Sequence, residues 1–333
     1  MTNPAISIFM PVYNGGKYLA RTFDSIAGQT FGDFEVICVD DSSTDDSLQI
    51  LQDRAAGDHR IKVFVKPNGG NVPKSWLFAL PHLTGRYIFY LSQDDMLAAD
   101  LLELTYKKAV ETGADAVVPD MVEYRGGNET AKPKSGLFGN KDLQLTGREA
   151  FRHSLKWDIH AFALWKAELV KRIGFDDLAT NSDEYATRNF FLNSNKVVFS
   201  GGTFYYGKEN PDAITRKLSV KRFDWCITNL RLLRLMKAHH FDEKEIASFN
   251  YDFWGHTMYM DMLLKKYGKS FGPDERARAT DIIAQCYGSM DFDLIARYKG
   301  AKGRMVKALF SHGRGLAQCA VSIGLLVGTK TIR

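Results

Sequence analysis

Residues 6–26 read ISIFMPVYNGGKYLARTFDSI, and two later stretches repeat their design: FEVICVDDSSTD at 34–45 and GRYIFYLSQDDM at 85–96. Each begins as a short apolar run rich in β-branched and aromatic residues, the pattern of a strand buried on both faces. Each then ends in polar or acidic residues: Tyr13 and Asn14, then Asp40 and Asp41, then Asp94 and Asp95. In an open α/β sheet the carboxyl ends of the strands converge on one crevice, where ligands bind. Paired carboxylates in such a crevice point to a divalent cation, Mn2+ or Mg2+, and a cation there points to a diphosphate.

Working outward, Ile61–Val65 is a further strand-like run, and helical patterns lie between the runs. Leu19, Phe23 and Ile26 are spaced i, i+4, i+7; Leu48 and Leu51 follow an Asp45-Asp46-Ser47 start with N-cap chemistry. Trp76, Leu77 and Leu80 form a third apolar face, and Leu101, Leu104 and Ala109 a fourth. This alternation predicts an α/β fold with a mostly parallel, doubly wound sheet over about residues 1–125. Pro11 should stop the ladder of the first strand, and Asn14 should cap the helix that follows.

Gly126–Gly139 is rich in Gly, Lys and Pro and reads as a loop, and Thr146–Glu149 has the spacing of a capping box. LWKAELVKRIG reads as a helix closed by Gly174, KVVFS and GTFYY as two strands, and NSDEYATRNFF as a helix with Asp183 and Glu184 in its first turn. From about Leu218 the pattern turns helical, with Phe223, Ile227, Leu230 and Leu233 on one face. The expected division is therefore a catalytic α/β domain over 1–216 and a helical region over 217–333.

The 333 residues, 45% hydrophobic and 25% charged, describe an ordinary globular protein. A net charge of +5 is too mild to imply nucleic acid, and it is concentrated at the end. Arg297 to Arg333 holds eight Lys and Arg residues and no acid. The four cysteines are far apart, which fits a reducing compartment rather than a disulfide framework or a zinc site. We read no signal peptide and no apolar run of the ~20 residues that a spanning helix needs.

Each constellation has a bland reading beside the functional one. Tyr13-Asn14 and Asp40-Asp41 suit turns and N-caps equally well. Asp94 and Asp95 would repel each other at a buried strand end unless a positive charge sits beside them. Between these pairs, KPNGGNVPKSW puts Lys74 at a helix start, where it would hold an anion or simply meet solvent. The sequence has neither GxGxxG nor a GKS/GKT loop, which argues against dinucleotide and Walker-type sites.

In this order, PVYN, VDDSSTD, NGGN, GRYIFYLSQDD, ALWKAELVKRIGF and SDEYATR resemble family 2 glycosyltransferases of the GT-A fold, over about residues 1–216. The resemblance implies a nucleotide-sugar donor, a UDP-sugar ahead of dTDP- or GDP-sugars, and a divalent metal. It implies that Pro11, Tyr13 and Asp40 line the nucleoside pocket, with Asn14 and Asp41 on the same loops. Asp94 would sit near ribose and metal, and Asp95 would be the chief metal ligand. Lys74 stands where the family often has Arg, and Lys208 and Arg216 become candidate phosphate contacts. Two departures stand out. Ser92 fills the first slot of the family's Asp-x-Asp-Asp motif, and the later Glu-Asp pair is Asp183-Glu184 here. By position Glu184 would be the base, with Asp183 the other candidate.

Inversion at an anomeric carbon needs one in-line attack, a carboxylate to take the acceptor's proton, and charge stabilisation at the leaving diphosphate. Without the resemblance, Asp183-Glu184 would read as a favourable helix-dipole pair. Trp157 and His160 would line an acceptor pocket, or sit in the core. The implied function is sugar transfer to a saccharide or lipid-linked saccharide in O-antigen, capsule or lipooligosaccharide synthesis. A degenerate GT-A domain that binds without turnover is the alternative. A nucleotidylyltransferase lacks the Gly-rich basic N-terminal loop it would need. The apolar residues from Met305 to Leu326 alternate with basic ones, as in a helix on an anionic membrane surface. The expected location is the inner face of the bacterial cytoplasmic membrane.

Overall fold

The computed structural model describes residues 3–208, 210 and 219–310. Two compact units emerge, Met1–Asp212 and Ala213–Arg333. The first contains strands β1 (Ile6–Val12), β2 (Phe34–Asp40), β3 (Ile61–Val65), β4 (Tyr87–Tyr90), β5 (Met96–Leu97) and β6 (Ala116–Arg125). It continues with β7 (Asn128–Glu129), β8 (Gln144–Leu145), β9 (Leu164–Lys166) and β10 (Val197–Gly207). They form one curled sheet in the order β3-β2-β1-β4-β9-β6-β10-β5, with β7 on β6 and β8 on β10.

β1, β2, β3 and β4 are mutually parallel where they pair, and so are β6 and β10. Every residue of β1 and β2 is buried, so the sheet is covered on both faces. Its helices are α1 (Gly16–Ala27), α2 (Ser47–Gly57), α3 (Val72–Ala79), α4 (Leu101–Thr112), α5 (Gly147–Leu155), α6 (Ala167–Ile173) and α7 (Ser182–Leu192). The chain moves from β1 outward to β2 and β3, then crosses back to β4 on the other side of β1. That reversal opens a crevice at the carboxyl ends of β1 and β4. Ile8, Met10, Val36, Phe89, Leu101 and Val198 belong to the core beneath it. The expected mostly parallel α/β architecture is therefore present.

Four local expectations need correction. Pro11 does not stop the ladder: it lies inside β1, paired with Val39, and Val12 pairs with Asp40. Alternate residues of a parallel strand bond to alternate sides. Phe9 accepts from Leu91 on the β4 side, so Pro11's missing N–H also faces that side, beyond the last β1–β4 pair. Asn14 does not cap α1, whose N-cap is Gly15 without a side-chain bond. LWK of LWKAELVKRIG is not helix but β9, inserted antiparallel between β4 and β6. KVVFS and GTFYY belong to a single strand, β10, whose register against β6 slips between Phe199 and Thr203. Gly202, at φ 81 and packed against Leu101 Cα, carries that irregularity. The capping box at Thr146–Glu149 and the Gly174 C-cap form as expected.

The second unit is helical among its described residues: α8 (Asp224–Ala238), α9 (Glu243–Tyr267), α10 (Pro273–Gly288), α11 (Phe292–Tyr298) and α12 (Gly300–Phe310). Leu230, Leu233, Phe253, Ile283 and Ile295 are buried between them. In α12, Val306 and Phe310 turn inward and Phe310 meets Trp254, so the described part of the basic segment packs as an ordinary helix. Arg216 and the sequence beyond residue 310 lie outside the described residues. Among the described residues no helix is long and apolar enough to cross a membrane.

Candidate active site

The loop after β4 is clamped to the end of β1 by Gln93. Its amide oxygen accepts the Tyr13 N–H at 2.8 Å and its amide nitrogen donates to the Tyr13 carbonyl at 3.1 Å. From α1, the Thr22 hydroxyl reaches the carbonyls of Gln93 and Asp95 at 2.9 Å each, and Arg21 donates to the Asp94 carbonyl at 3.2 Å. A side chain that mimics a strand, plus a buried hydroxyl, thus fixes where the two acids point. Tyr13 itself is 47% exposed at the mouth of the crevice.

Asp95 is 1% exposed, and its Oδ1 accepts the Gly207 N–H at 2.8 Å. Its Oδ2 is buried without a partner among the described residues. Burial, then the neighbouring charge of Asp94, pushes its carboxyl well above the usual carboxylate range. Gly207 permits this approach, because a Cβ there would run into the Asp94 carbonyl. An orphaned oxygen beside a second carboxylate is what a divalent cation would complete, so these residues fit Mn2+ or Mg2+. Among the described residues no cluster of three or more His, Cys, Asp or Glu could hold a metal alone. The remaining ligands would be phosphate oxygens and water. Ser92 fills the family's first acidic slot, and its carbonyl accepts from the Asp95 N–H at 3.2 Å.

The other residues expected on the donor side divide by what already holds them. Asp40 is buried; Oδ2 accepts from the Ser43 N–H at 3.0 Å, and Oδ1 has no partner among the described residues. Asp41 is engaged by the buried Lys66 ammonium and by the Gly69 N–H at 2.7 Å, so it anchors the NGG turn. Asn14, at φ 48, accepts from the Thr44 N–H at 2.7 Å and ties the loop after β1 to the loop after β2. Pro11 is buried within β1. Lys74 lies in the first turn of α3, where Asn71 caps its N–H, and its ammonium stands 4.0 Å from Asp177. Lys208 follows β10, with its ammonium 3.4 Å from Glu123 and 4.5 Å from the Tyr206 ring centroid.

Asp183 and Glu184 open α7. The fields of Asp183, Asp95 and Asp94 all act on the buried Tyr90 hydroxyl, and those of Asp95, Asp94 and Glu184 act on the Tyr206 hydroxyl. Both phenols are pushed up, chiefly by burial. The pair after β4 and the pair on α7 are far apart in sequence, and their charges act on the same two tyrosines.

The Glu184 N–H donates to the Asn181 carbonyl at 3.1 Å, and the Asp183 carboxyl is pushed up to about 7 by burial first and by the Glu184 charge second. Glu184 is paired instead with Arg188, Nη1 to Oε2 at 2.5 Å. Arg188 is buried, and its guanidinium carbon lies 5.1 Å from the Trp157 ring centroid. Trp157 is exposed at the edge of this region. His160 is not exposed there: it is buried, with Nε2 2.9 Å from the Pro119 carbonyl, and burial lowers it to about 4. It is a neutral core histidine at pH 7. Sequence reasoning passed over Gln93, Thr22, Tyr90, Tyr206 and Arg188. Only Arg188 left a signal, its i, i+4 spacing from Glu184.

The sequence model of Glycosyl transferase family 2 matches residues 7–174. The chain is 28% identical over 219 residues to glycosyltransferase GlyG of Streptococcus pneumoniae, covering 63% of this chain and 73% of that protein. It is 27% identical over 263 residues to chondroitin synthase of Pasteurella multocida, covering 75% of this chain but 24% of that longer protein. Residues 1–349 of S. aureus TarS, solved in complex with UDP-GlcNAc, share the fold with a TM-score of 0.71 at 18% identity, covering 96% of this chain and 92% of that one. With a family match over half its length, laid on the sheet that carries the crevice, the chain belongs to glycosyl transferase family 2.

Proposed function

We propose that the chain is an inverting glycosyltransferase that moves a hexose or N-acetylhexosamine from a UDP-sugar to a saccharide hydroxyl during polysaccharide synthesis. The observation that carries this reading is the orphaned, buried Oδ2 of Asp95 beside Asp94, whose charges, like that of Asp183, act on the buried Tyr90 hydroxyl. Two likenesses support it: TarS is solved with UDP-GlcNAc, and chondroitin synthase is named for a polysaccharide. Asp94 and Asp95 would hold Mn2+ or Mg2+, which supplies charge stabilisation to the diphosphate when bound. Tyr13 offers a ring to the base, and Asp40 Oδ1 a hydrogen-bond acceptor to the nucleoside.

Asp183 is the base we favour. A carboxyl that titrates at about 7 accepts a proton well near neutral pH. As the acceptor oxygen attacks the anomeric carbon, its proton passes to Asp183, the bond to the diphosphate oxygen breaks, and configuration inverts. Glu184, held by Arg188, is a positioning residue in this reading. A lipid-linked acceptor and an anionic membrane surface rest on the basic sequence beyond residue 310, outside the described residues. A binding domain without turnover is the second reading, favoured by Ser92 in the metal motif.

Calorimetric titration of UDP, GDP and dTDP, each with and without Mn2+, tests the donor class. Metal-dependent binding of UDP alone is expected. Slow hydrolysis of the matching UDP-sugar then separates an enzyme from a binding domain, and binding without hydrolysis would leave the second reading.

A further inference from the structure

The backbone rungs between β1 and β4 stop before the strand end. Phe9 pairs with Tyr90, and the Leu91 N–H donates to the Phe9 carbonyl at 3.0 Å. Pro11, the next residue facing that side, has no N–H to offer. Tyr13 follows, and there Gln93 supplies both halves of a rung from its side chain, at 2.8 and 3.1 Å. The Gln93 side chain is buried, and both ends of its amide engage one residue. Gly15 makes room for it, because a Cβ there would run into Gln93 Oε1. The Gly15 backbone, at φ −106, is open to other residues, so glycine at this position serves the amide rather than the turn.

Gln93 therefore joins two loops with different tasks. Its own peptide leads directly into Asp94 and Asp95, and its carbonyl, like that of Asp95, accepts from the Thr22 hydroxyl at 2.9 Å. The loop it grips carries the exposed Tyr13 ring. That loop is tied in turn to the one after β2: the Asn14 N–H donates to Ser43 Oγ at 3.0 Å and the Gly15 N–H to Ser47 Oγ at 2.9 Å. One buried amide thus stands between the two acids and the loops expected to hold a nucleoside.

We propose that Gln93 is a positioning residue that couples the nucleoside site to the cation site through the protein, with no phosphate needed between them. The proposal rests on the transferase reading above. A cation at Asp94 and Asp95 removes their mutual repulsion and shifts the peptides that carry them. The amide passes that shift to the Tyr13 backbone, and so to the ring offered to the base. Coupling of two binding equilibria is reciprocal, so a bound nucleoside tightens the cation site by the same factor. UDP would show such an effect through its diphosphate alone. Uridine has no phosphate, and any effect it has on the cation passes through the protein.

The test titrates Mn2+ into the full chain with and without saturating uridine, reading free Mn2+ by electron paramagnetic resonance and uridine binding by calorimetry. Uridine should tighten Mn2+ binding about fivefold, the size of one net hydrogen bond. Gln93→Leu removes the amide at similar volume, and Gly15→Ala keeps Gln93 but displaces its amide. In both variants uridine should leave the Mn2+ affinity unchanged. A merely structural role would lower both affinities and keep their ratio. Uridine without effect on the wild type would overturn the proposal. So would an effect that persists in Gln93→Leu, which would assign the coupling to the ribose itself. Loss of uridine binding in both variants would also overturn it, because the amide would then shape the pocket rather than link it. UDP with Mn2+ is titrated alongside: UDP binding beside an inert uridine refutes the coupling alone, and absence of UDP binding refutes the transferase reading with it.

Discussion

Replacing Asp183 by Asn should stabilise the protein at neutral pH and remove transfer. Its carboxyl titrates at about 7 instead of 3.8, because burial and the Glu184 charge oppose ionisation. A folded-state pKa above the unfolded one means that the folded protein binds this proton more tightly. The contribution is fully present below the unfolded value and is lost as pH rises through about 7. At about 1.36 kcal/mol per unit, the gap comes to about 4 kcal/mol, and about 2–4 kcal/mol once solvent at the rim of the carboxyl is allowed for. The amide has no such titration. Urea unfolding in EDTA, at about pH 5 and about pH 8, should show the wild type losing about 2 kcal/mol relative to Asp183→Asn across that interval. The wild-type kcat/KM should rise with pH through about 7, as the base loses its proton. A difference between wild type and variant that is the same at both pH values would refute the argument, because the carboxyl would then not be shifted.

Asp95→Asn should abolish Mn2+-dependent UDP binding in calorimetry while leaving the circular dichroism spectrum unchanged. Gly207→Ala should press a methyl group against the Asp94 carbonyl and displace Asp95, lowering stability by about 1–3 kcal/mol in urea unfolding and weakening metal-dependent UDP binding. Phe138→Gly should raise stability by about 0.5–1 kcal/mol, since relief of a left-handed backbone outweighs the added freedom of the unfolded chain, and a thermal melt checks it.

The half of the candidate site at the strand ends was legible because its chemistry is local in sequence. A strand end carries its polar residues with it, so locating Ile6–Val12, Phe34–Asp40 and Tyr87–Tyr90 also located Tyr13, Asp40 and Asp95. What those residues do was less legible. Asp41 looks like Asp40 in sequence, yet Lys66 and the NGG turn engage it while Asp40 Oδ1 is left without a partner among the described residues. β9 was missed because three residues cannot show a period, and its position between β4 and β6 is set by the sheet around it.

The part of the site around Trp157 and Glu184 was illegible for a different physical reason. Lys134 and Phe138, His153 to Asp158, and Glu184 to Arg188 are three segments that meet only through tertiary packing, including that of α5 on α7. None has a pattern of its own: an exposed aromatic in a Gly-rich loop reads as noise, and an i, i+4 Glu–Arg pair reads as a solvated helix face. The left-handed backbone of Trp157 is set by its place after α5, where its N–H donates to the Ser154 carbonyl and the Asp158 N–H to the His153 carbonyl, and that of Phe138 by the tight turn in which Leu137 and Asn140 pair. In each case a non-glycine residue takes this conformation because the chain reversal around it satisfies backbone groups, a context that neither side chain announces in the sequence. If Phe138→Gly proved less stable than wild type, the ring's contact with His153 would outweigh the preference of this turn for glycine.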